Sequence, residues 1–311
     1  MLRELLARKL QLPLEYIDKI ARSASKRYKV YLIRKRVGGY RTIHHPAKEL
    51  KALQRWLLQE VIQKWPVHSA AYAYEKGKNI RSNAAEHANS SYLLRMDIKD
   101  FFPSLTRDDI RRYFAENPTA VSGWDSGDIE FFIRIVCRSG CLTIGAPTSP
   151  RISNVLCRSL DVVVTELCDA QGIKYTRYAD DLFFSTRQPE VLRGIEKKVR
   201  EILEKTEWPA NLRINADKTH HSSKKGRRIV TGLTLTQESK VSLGRKQKRH
   251  VKSLIHRYEG LSEAERIRLK GYLAYIHGVE PNYINNLVMK YGAKKIRTVM
   301  GIKKRTQLSK L

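Results

Sequence analysis

The chain has 311 residues, of which 41% are hydrophobic, enough apolar material to bury a core and too much for a disordered chain. Its 60 lysine and arginine residues outnumber 31 aspartate and glutamate residues, which gives a net charge of +29 at pH 7. Such a field attracts polyanions and opposes self-association, so nucleic acid is the expected partner. An anionic membrane is the weaker alternative, because no basic amphipathic helix with a clean apolar face is evident.

Membrane insertion and secretion are not expected from the hydropathy pattern. No apolar run reaches the roughly 18 to 20 residues that cross a bilayer, and charges interrupt the apolar residues of the N-terminal segment. We therefore expect a cytoplasmic protein that does not use a membrane. The cysteines lack the paired C-x-x-C spacing of a zinc site, which predicts buried free thiols at Cys137, Cys141, Cys157 and Cys168.

The first clear element along the chain is a hairpin. The segment VYLIRKRVGGYRTIHHP, residues 30–46, is typical of two strands joined at Gly38-Gly39, because a diglycine supplies the positive φ angles of a tight turn. Pro46 ends the second strand. The following segment, KELKALQRWLLQEVIQKW, places apolar residues at helical spacing and predicts an amphipathic helix over residues 48–65.

Two groups of acidic residues stand at the ends of predicted strands. Asp97 follows the apolar run YLLRM, and Asp180-Asp181 lie at the tip of a second predicted hairpin over residues 174–185. An Asp-Asp pair alone most often caps a turn. Placed opposite a strand-end aspartate, it is typical of phosphoryl transfer with two Mg²⁺ ions about 3.5 to 4 Å apart, and Mg²⁺ prefers carboxylate oxygens.

The last 71 residues, 241–311, form a separate basic segment. They contain 17 lysine or arginine residues against 4 acidic ones, a net charge of +13. The segment is predicted to form short helices, broken by Gly260 and by residues 278–281, with lysine and arginine facing outward. The apolar positions that define these helices are Val251, Leu254, Ile255, Tyr258, Ile267, Leu269, Leu273 and Ile276. One mixed α/β body with a basic helical appendage is predicted.

Five blocks of the sequence resemble, in order, those of reverse transcriptases, and specifically the bacterial retron enzymes. These blocks are RTIHHPAKELKALQRWL (41–57), MDIKDFFPSL (96–105), GAPTSPRISNVL (145–156), YADD (178–181) and LRINADKT (212–219). Two shorter signals are typical of retron enzymes, N-A-x-x-H at residues 83–87 and V-T-G at residues 230–232. The resemblance covers almost all of the fingers and palm.

The resemblance implies a right-hand polymerase architecture of the α/β (α+β) class. Fingers are expected at residues 1–92, the palm with inserted fingers helices at 93–240, and a basic, helical, RNA-binding thumb at 241–311. The implied activity is RNA-directed DNA synthesis from dNTPs with two Mg²⁺ ions, Mn²⁺ being the substitute. The implied partners are a cognate structured noncoding RNA and its DNA product.

The family adds a biological setting to this activity. In retron enzymes, synthesis starts from the 2′-hydroxyl of an internal guanosine and leaves a branched RNA–DNA molecule. Such systems are associated with defence against phage, together with an effector or toxin protein. Two other readings stay open. The chain could be an RNA-binding scaffold that restrains a toxin, with catalysis secondary, or another domesticated reverse transcriptase similar to those of group II introns.

The resemblance also implies roles for individual residues. The metal-binding and catalytic acids are expected at Asp97, Asp180 and Asp181. Nucleotide contacts are expected at Arg41, on the triphosphate, at Phe102, which excludes a ribose 2′-hydroxyl, and at Lys218, near the leaving pyrophosphate, with Lys35 a looser candidate. Core packing is the alternative for Phe102. The N-A-x-x-H motif implies RNA contacts at Asn83 and His87, with a structural role as the alternative for His87. The basic charge of the last 71 residues separately predicts RNA contacts at Arg245, Lys246, Lys248 and Arg249.

One position departs from the family pattern. Thr143-Ile144 precede Gly145, where many reverse transcriptases have glutamine or a small polar residue. An isoleucine side chain cannot hydrogen-bond the incoming nucleotide or the template. We therefore expect altered fidelity or nucleotide affinity, while the phosphoryl chemistry, which needs metal ions and positioning, survives.

Overall fold

A computed structural model describes residues 1–35 and 38–301. Residues 36–37 of the predicted first hairpin and 302–311 of the predicted thumb lie outside the described residues. The helices of the described part are α1 Leu2–Leu10, α2 Leu14–Arg22, α3 Lys48–Glu60, α4 Ile80–Glu86, α5 Phe101–Ser104, α6 Arg107–Glu116, α7 Ser126–Val136, α8 Ser149–Leu156, α9 Arg158–Asp169, α10 Val191–Lys205, α11 Arg245–His256, α12 Glu263–Val279, α13 Pro281–Tyr291 and α14 Ala293–Met300. The strands are β1 Tyr28–Arg34, β2 Tyr40–Pro46, β3 Tyr92–Ile98, β4 Lys174–Tyr178, β5 Asp181–Thr186, β6 Ile214–Ser223, β7 Arg228–Val230, β8 Leu233–Leu235 and β9 Val241–Ser242.

The chain divides into two compact units. The first contains residues 1–78 and 92–221, and the second contains residues 79–91 together with residues from 222 onward. The short segment 79–91 therefore groups with the C-terminal part of the chain, although it lies inside the stretch expected to form the fingers. The three-part division into fingers, palm and thumb stays a prediction.

The first unit is built on a four-stranded sheet with the order β4-β5-β3-β6. Strand β5 lies between β3 and β4 and is antiparallel to both. Alternate side chains of these strands, such as Leu94, Met96, Leu182 and Phe184, are fully buried in the core. The intervening Leu93 and Phe183 are buried as well, so β3 and β5 are buried on both faces, as short continuous apolar runs predict.

The predicted first hairpin forms, with β1 and β2 antiparallel and Val30 opposite His44. Gly38 and Gly39 have φ angles of +74° and +73°, as the diglycine turn predicted. Most side chains of β1 are exposed on both faces of this two-stranded ribbon. The helix predicted over residues 48–65 is shorter than expected, because α3 ends at Glu60 and a 3₁₀ turn follows.

The second unit combines the three-stranded sheet β7-β8-β9 with helices α4 and α11 to α14. Six of the eight apolar positions predicted for its helical core are buried, at Val251, Leu254, Ile255, Leu269, Leu273 and Ile276. Ile267 is the clear error, since it is 65% exposed. Ile267 lies two residues, about 200° around the helix, from Leu269, which places it on the face opposite the buried Leu269, Leu273 and Ile276.

The other expectations from composition concern thiols and membrane spans. All four cysteines are free, and Cys137, Cys157 and Cys168 are buried while Cys141 is partly buried. Across residues 1–35 and 38–301, none of the helices combines the length and the apolar character that crossing a bilayer requires.

Candidate active site and nucleic-acid contacts

The second predicted hairpin forms, with Ala179 and Asp180 as its two-residue loop. Tyr178 pairs with Asp181 across the hairpin, and Ala179 adopts a left-handed conformation with φ of +58°. The same register places Asp97 of β3 directly opposite Asp181 of β5. The backbone amide of Ile98 donates a 2.8 Å hydrogen bond to the Asp180 carbonyl. The acids predicted from strand ends thus lie together at one edge of the sheet.

Two of these carboxylates are paired with cations. The Lys218 ammonium donates to both oxygens of Asp97, at 2.9 and 3.0 Å. The Arg95 guanidinium contacts Asp181 Oδ1 through Nε at 2.9 Å and through Nη2 at 2.8 Å. Within the described residues, no three acidic, histidine or cysteine side chains converge as a ready metal-binding group. Asp97 and Asp181 instead direct oxygens toward basic side chains.

The remaining electrostatics favour a bound cation. Burial raises the pKa of Asp181 to about 6, the charges of Asp180 and Asp97 add to this, and Arg95 opposes it. The pKa of Asp180 is also raised, first by burial and then by the charge of Asp97, against Lys218 and Arg41. A bound divalent ion neutralises the repulsion between neighbouring carboxylates and favours their ionised forms. Carboxylate oxygens are also the donors that Mg²⁺ prefers. The chemistry of this donor set therefore fits Mg²⁺ or Mn²⁺.

The four residues expected to contact the nucleotide differ in exposure and in their contacts with the acids. Arg41 is exposed on β2, and its charge weakly opposes the rise in the pKa of Asp180. Lys218 reaches the site through its bond to Asp97, although its side chain is 56% exposed. Phe102 is half-buried, with its ring 5.4 Å from that of Phe101, which is buried. Lys35 is exposed beside the first hairpin, and these four roles remain predictions.

The position that departs from the family pattern lies in a loop docked on β2. The Ile144 carbonyl accepts a 2.8 Å hydrogen bond from the His44 amide. Thr143 Oγ1 lies 2.6 Å from His44 Nδ1. Gly145 has φ of +113°, and a Cβ there would lie 2.5 Å from the His44 carbonyl oxygen, so only glycine fits. The backbone docks this loop, and the chain therefore tolerates an isoleucine side chain at 144.

In the second unit, the N-A-x-x-H segment is an interior feature. Asn83 and His87 are both fully buried on and just after α4. The hydroxyl of Thr231, in the V-T-G segment, donates a 3.1 Å hydrogen bond to the Ile80 carbonyl. Thr231 has φ of +47°, and Gly232 continues this turn with φ of +82°. The structure thus favours the structural role for Asn83 and His87, because RNA cannot reach their side chains in this conformation.

The predicted basic cluster on α11 separates into two kinds of residue. Arg245, Lys246 and Arg249 are exposed. Lys248 instead donates a 2.6 Å bond to Glu280, with its ammonium 4.7 Å from the Tyr283 ring centre. The three exposed cations are the ones available to phosphate.

Sequence reasoning missed two arginines on the strands that carry the acids. Arg95 interrupts the apolar run YLLRM two positions before Asp97, hence on the same face of β3, and this interruption was the available signal. Arg177, within KYTRY, is fully buried against Asp161 of α9. The signal for Arg177 was a charged residue within a strand predicted to be buried. Its partner, Asp161, could not be identified from the sequence.

Comparison with known proteins identifies the family. The profile described as "Reverse transcriptase (RNA-dependent DNA polymerase)" matches residues 33–257. The chain belongs to the reverse transcriptase family. This reverse transcriptase is 38% identical over 279 residues to the Retron Ec83 reverse transcriptase of Escherichia coli, a match that covers 88% of this chain and 89% of the relative. It is 32% identical to the Retron Ec86 reverse transcriptase of Escherichia coli, covering 87% and 84% of the two chains.

A solved structure supports the same fold. Apo telomerase from Candida tropicalis matches with a TM-score of 0.52 at 12% identity, covering 88% of this chain and 60% of the telomerase chain. At this identity the likeness concerns the fold alone. It agrees with the mixed α/β, right-hand polymerase class predicted from the sequence, which is confirmed. The family and its retron relatives confirm that the enzyme is an RNA-directed DNA polymerase, which acts on a templating RNA and dNTPs.

Proposed function

We propose that this reverse transcriptase copies part of a cognate structured noncoding RNA into single-stranded DNA, with Asp97, Asp180 and Asp181 as its metal-binding acids. The observation that carries the proposal is the register that sets Asp97 opposite Asp181, beside a hairpin tip whose carboxyls have raised pKa values. Two Mg²⁺ ions held there would supply charge stabilisation for the attacking hydroxyl and the leaving pyrophosphate. Mn²⁺ would be the substitute ion.

The surrounding residues of the chain would position the substrates. Arg41 is exposed, and its charge acts on Asp180, so its guanidinium would clamp triphosphate oxygens in two hydrogen bonds. Lys218 has a largely exposed stem, which allows its ammonium to move from Asp97 to the developing pyrophosphate charge. The half-buried Phe102 would pack against the deoxyribose and leave no room for a 2′-hydroxyl.

The second unit would supply the RNA affinity. Its exposed cations on α11 would bind phosphates, and Tyr272 and Tyr275, each 38% exposed on α12, would stack on unpaired bases. The finer parts of the proposal rest on the resemblance to retron enzymes described under the sequence analysis. These are priming from an RNA 2′-hydroxyl, a branched RNA–DNA product, and a cytoplasmic role in anti-phage defence with an effector protein.

The first test combines Asp180→Ala with Asp181→Ala. We expect the loss of DNA synthesis in a primer-extension assay on a generic template, with RNA binding largely retained, because phosphate contacts come from other residues. Exchange of exposed Asp108 to Ala is the control, with full synthesis expected. Retained polymerisation by the double variant would contradict the active-site assignment.

The nucleic acid that co-purifies with the enzyme tests the biological part. We expect sequencing to recover one structured RNA that is covalently joined to DNA. The joining 2′,5′-phosphodiester bond should survive treatments that hydrolyse ordinary 3′,5′ RNA linkages, and a debranching enzyme should cleave it. Unbranched DNA would contradict the priming proposal. If the double aspartate variant still protected cells against phage, the scaffold reading would replace catalysis as the biological function.

A further inference from the structure

A buried polar cluster lies next to the catalytic hairpin within the first unit. At its centre, Arg177 of β4 is fully buried. Its Nε and Nη2 donate to the Asp161 carboxylate at 2.6 to 3.2 Å, and its Nη1 donates to Asn154 Oδ1 at 3.0 Å. The Tyr175 hydroxyl donates to the same Asp161 at 2.8 Å. Helices α8 and α9 thereby fix the guanidinium from two directions.

The backbone of Arg177 is held as firmly as its side chain. Its amide donates to the Ala70 carbonyl and its carbonyl accepts from the Tyr72 amide, each at 2.8 Å. The last residues of β4 therefore have little freedom. The loop that follows begins two residues later.

The cluster also reaches the hairpin loop itself. Arg177 Nη1 approaches the Ala179 carbonyl at 3.4 Å. Ala179 holds a left-handed conformation, which is unfavourable for a residue with a Cβ and persists only where the surroundings impose it. On the other side of the loop, Ile98 donates to the Asp180 carbonyl at 2.8 Å. The carbonyls of Ala179 and Asp180 are thus both held, one by Arg177 and one by the strand that carries Asp97.

We infer that Arg177 is a positioning residue for DNA synthesis, which acts through Ala179 to hold the carboxylate of Asp180 in place. The inference rests on the proposed role of Asp180. An arginine is required because its planar guanidinium presents donors to a carboxylate, an amide and a carbonyl at once, whereas a lysine ammonium acts as one point charge. A displacement of a catalytic group by about 1 Å costs on the order of 100-fold in rate.

The test is Arg177→Lys in the full-length enzyme. Lysine retains the charge opposite Asp161, so we expect folded protein. We expect kcat for single-nucleotide addition to fall on the order of 10- to 100-fold. KM for the dNTP and affinity for the RNA should stay within about twofold, because the binding groups are untouched. Mn²⁺ binding to the polymerase without substrate, followed by calorimetry, should weaken as the acids lose their alignment.

Arg228→Lys is the matched control. Arg228 of β7 is also a buried arginine, but it lies in the second unit and is bonded to the carbonyls of Ser90 and Thr236. We expect it to lower the melting temperature in the same way and to leave kcat unchanged. An equal loss of kcat in both variants would mean general loosening and would overturn the inference.

Asn154→Ala keeps the inference testable if Arg177→Lys does not fold. It removes one of the anchors of Arg177 and leaves the ion pair with Asp161 in place. We expect a smaller fall in kcat, of a fewfold. Full kcat in this variant, or in a folded Arg177→Lys, overturns the inference while Asp180→Ala remains inactive. Activity in Asp180→Ala would instead remove the proposed function on which the inference rests.

Discussion

Two buried carboxylates in the first unit, those of Asp128 and Asp181, have pKa values shifted in opposite directions. Asp128 of α7 is fully buried and accepts hydrogen bonds from the Met1 ammonium at 2.7 Å, the Leu2 amide at 3.0 Å, and the Arg3 amide and Nε at 3.2 Å each. Burial opposes its ionisation, but these donors outweigh it and lower its pKa to about 2. Asp181 is also mostly buried, yet burial and neighbouring carboxylates raise its pKa to about 6.

The contrast separates stability from function. A buried carboxylate with all its donors ties helices together, and its charge is fully compensated. Carboxylates that lie side by side at a hairpin tip repel one another and lower the free energy of unfolding. Such an arrangement is typical of a functional site, where a bound cation offsets the repulsion. The same division recurs on α11, where Lys248 is paired with Glu280 while Arg245, Lys246 and Arg249 are exposed.

The largest effects that test this contrast are expected when the charge of Asp128 or of Asp181 is removed. We expect Asp128→Asn to lower the free energy of unfolding by about 3 kcal/mol, because several buried donors lose their charged acceptor. DNA synthesis per folded molecule should be unchanged. Asp181→Asn should raise the free energy of unfolding at neutral pH without divalent ions and reduce synthesis by about 1000-fold or more.

Denaturant unfolding in EDTA and primer extension measure the two effects on the same preparations. Asp108→Asn, in an exposed pair with Arg111, serves as the reference for a carboxylate with little energetic role. If Asp128→Asn lost synthesis and Asp181→Asn lost stability, the division between the two groups would be wrong.

The second comparison lies within the basic cluster of α11. Replacing the three exposed residues Arg245, Lys246 and Arg249 by alanine should shallow the dependence of log affinity for the cognate RNA on log salt. The expected change is roughly 2 to 3 units, since each lost phosphate contact contributes about 0.7 to 0.9. Lys248→Ala should leave the slope almost unchanged, because Lys248 already has Glu280 as its partner.

Filter binding between 50 and 400 mM salt, with tRNA as a nonspecific competitor, would measure both variants. An unchanged slope in the triple variant would show that this face of α11 does not contact RNA. A full unit of change in Lys248→Ala would show that the pair with Glu280 opens in the complex.

The third comparison uses pH. The lowered pKa of Asp128 gives stability that is present above about pH 4 and is lost as pH falls through 2, by about 2 kcal/mol. The raised pKa of Asp181 has the opposite sign, so stability is lost as pH rises from about 4 through 6, by about 3 kcal/mol. Unfolding of the metal-free enzyme between pH 2 and 8 should show both windows.

Single variants assign each window to its residue. Asp128→Asn should flatten only the acidic limb, and Asp181→Asn only the limb between pH 4 and 6. A metal-free enzyme whose stability rises across pH 4 to 6 relative to Asp181→Asn would contradict the raised pKa.

The smallest effect is expected from adjacent aromatic residues. Phe102 is half-buried, whereas Phe101 is 4% exposed in the core. Phe102→Ala should raise the incorporation of ribonucleotides relative to deoxyribonucleotides on the order of tenfold, because the steric block at the sugar is lost. Phe101→Leu should lower the melting temperature and leave this ratio unchanged. Competition between labelled dGTP and GTP measures it, and an unchanged ratio in folded Phe102→Ala would return Phe102 to a packing role.

Much of the fold could be predicted from the sequence because its elements are locally determined. The diglycine specified the first hairpin, and the β-prone runs around Ala179-Asp180 specified the second. The apolar spacing predicted helices α3, α11 and α12, with errors where a helix end or a single side chain such as Ile267 depends on its surroundings. The strand-end position of Asp97 was enough to predict its meeting with Asp181.

The missing parts depended on long-range partners. The bonds from Lys218 to Asp97 and from Arg95 to Asp181 join residues far apart in the chain, and only the sheet register reveals them. The same is true of Arg177, whose buried charge had no partner that local patterns could identify. Asn83 and His87 were recognised by a motif, but their burial follows from packing against the C-terminal part of the chain.

The grouping of residues 79–91 with residues from 222 onward has a practical consequence for exchanging parts between relatives. The polypeptide passes from one unit to the other three times, near residues 78, 91 and 221. A chimera with a single crossover near residue 221 would join α4 from one parent to the β7-β8-β9 sheet of another. The buried Asn83 and the bond between Thr231 and Ile80 would then come from mismatched parents. Exchanging the second unit between two retron enzymes therefore requires moving both segments together.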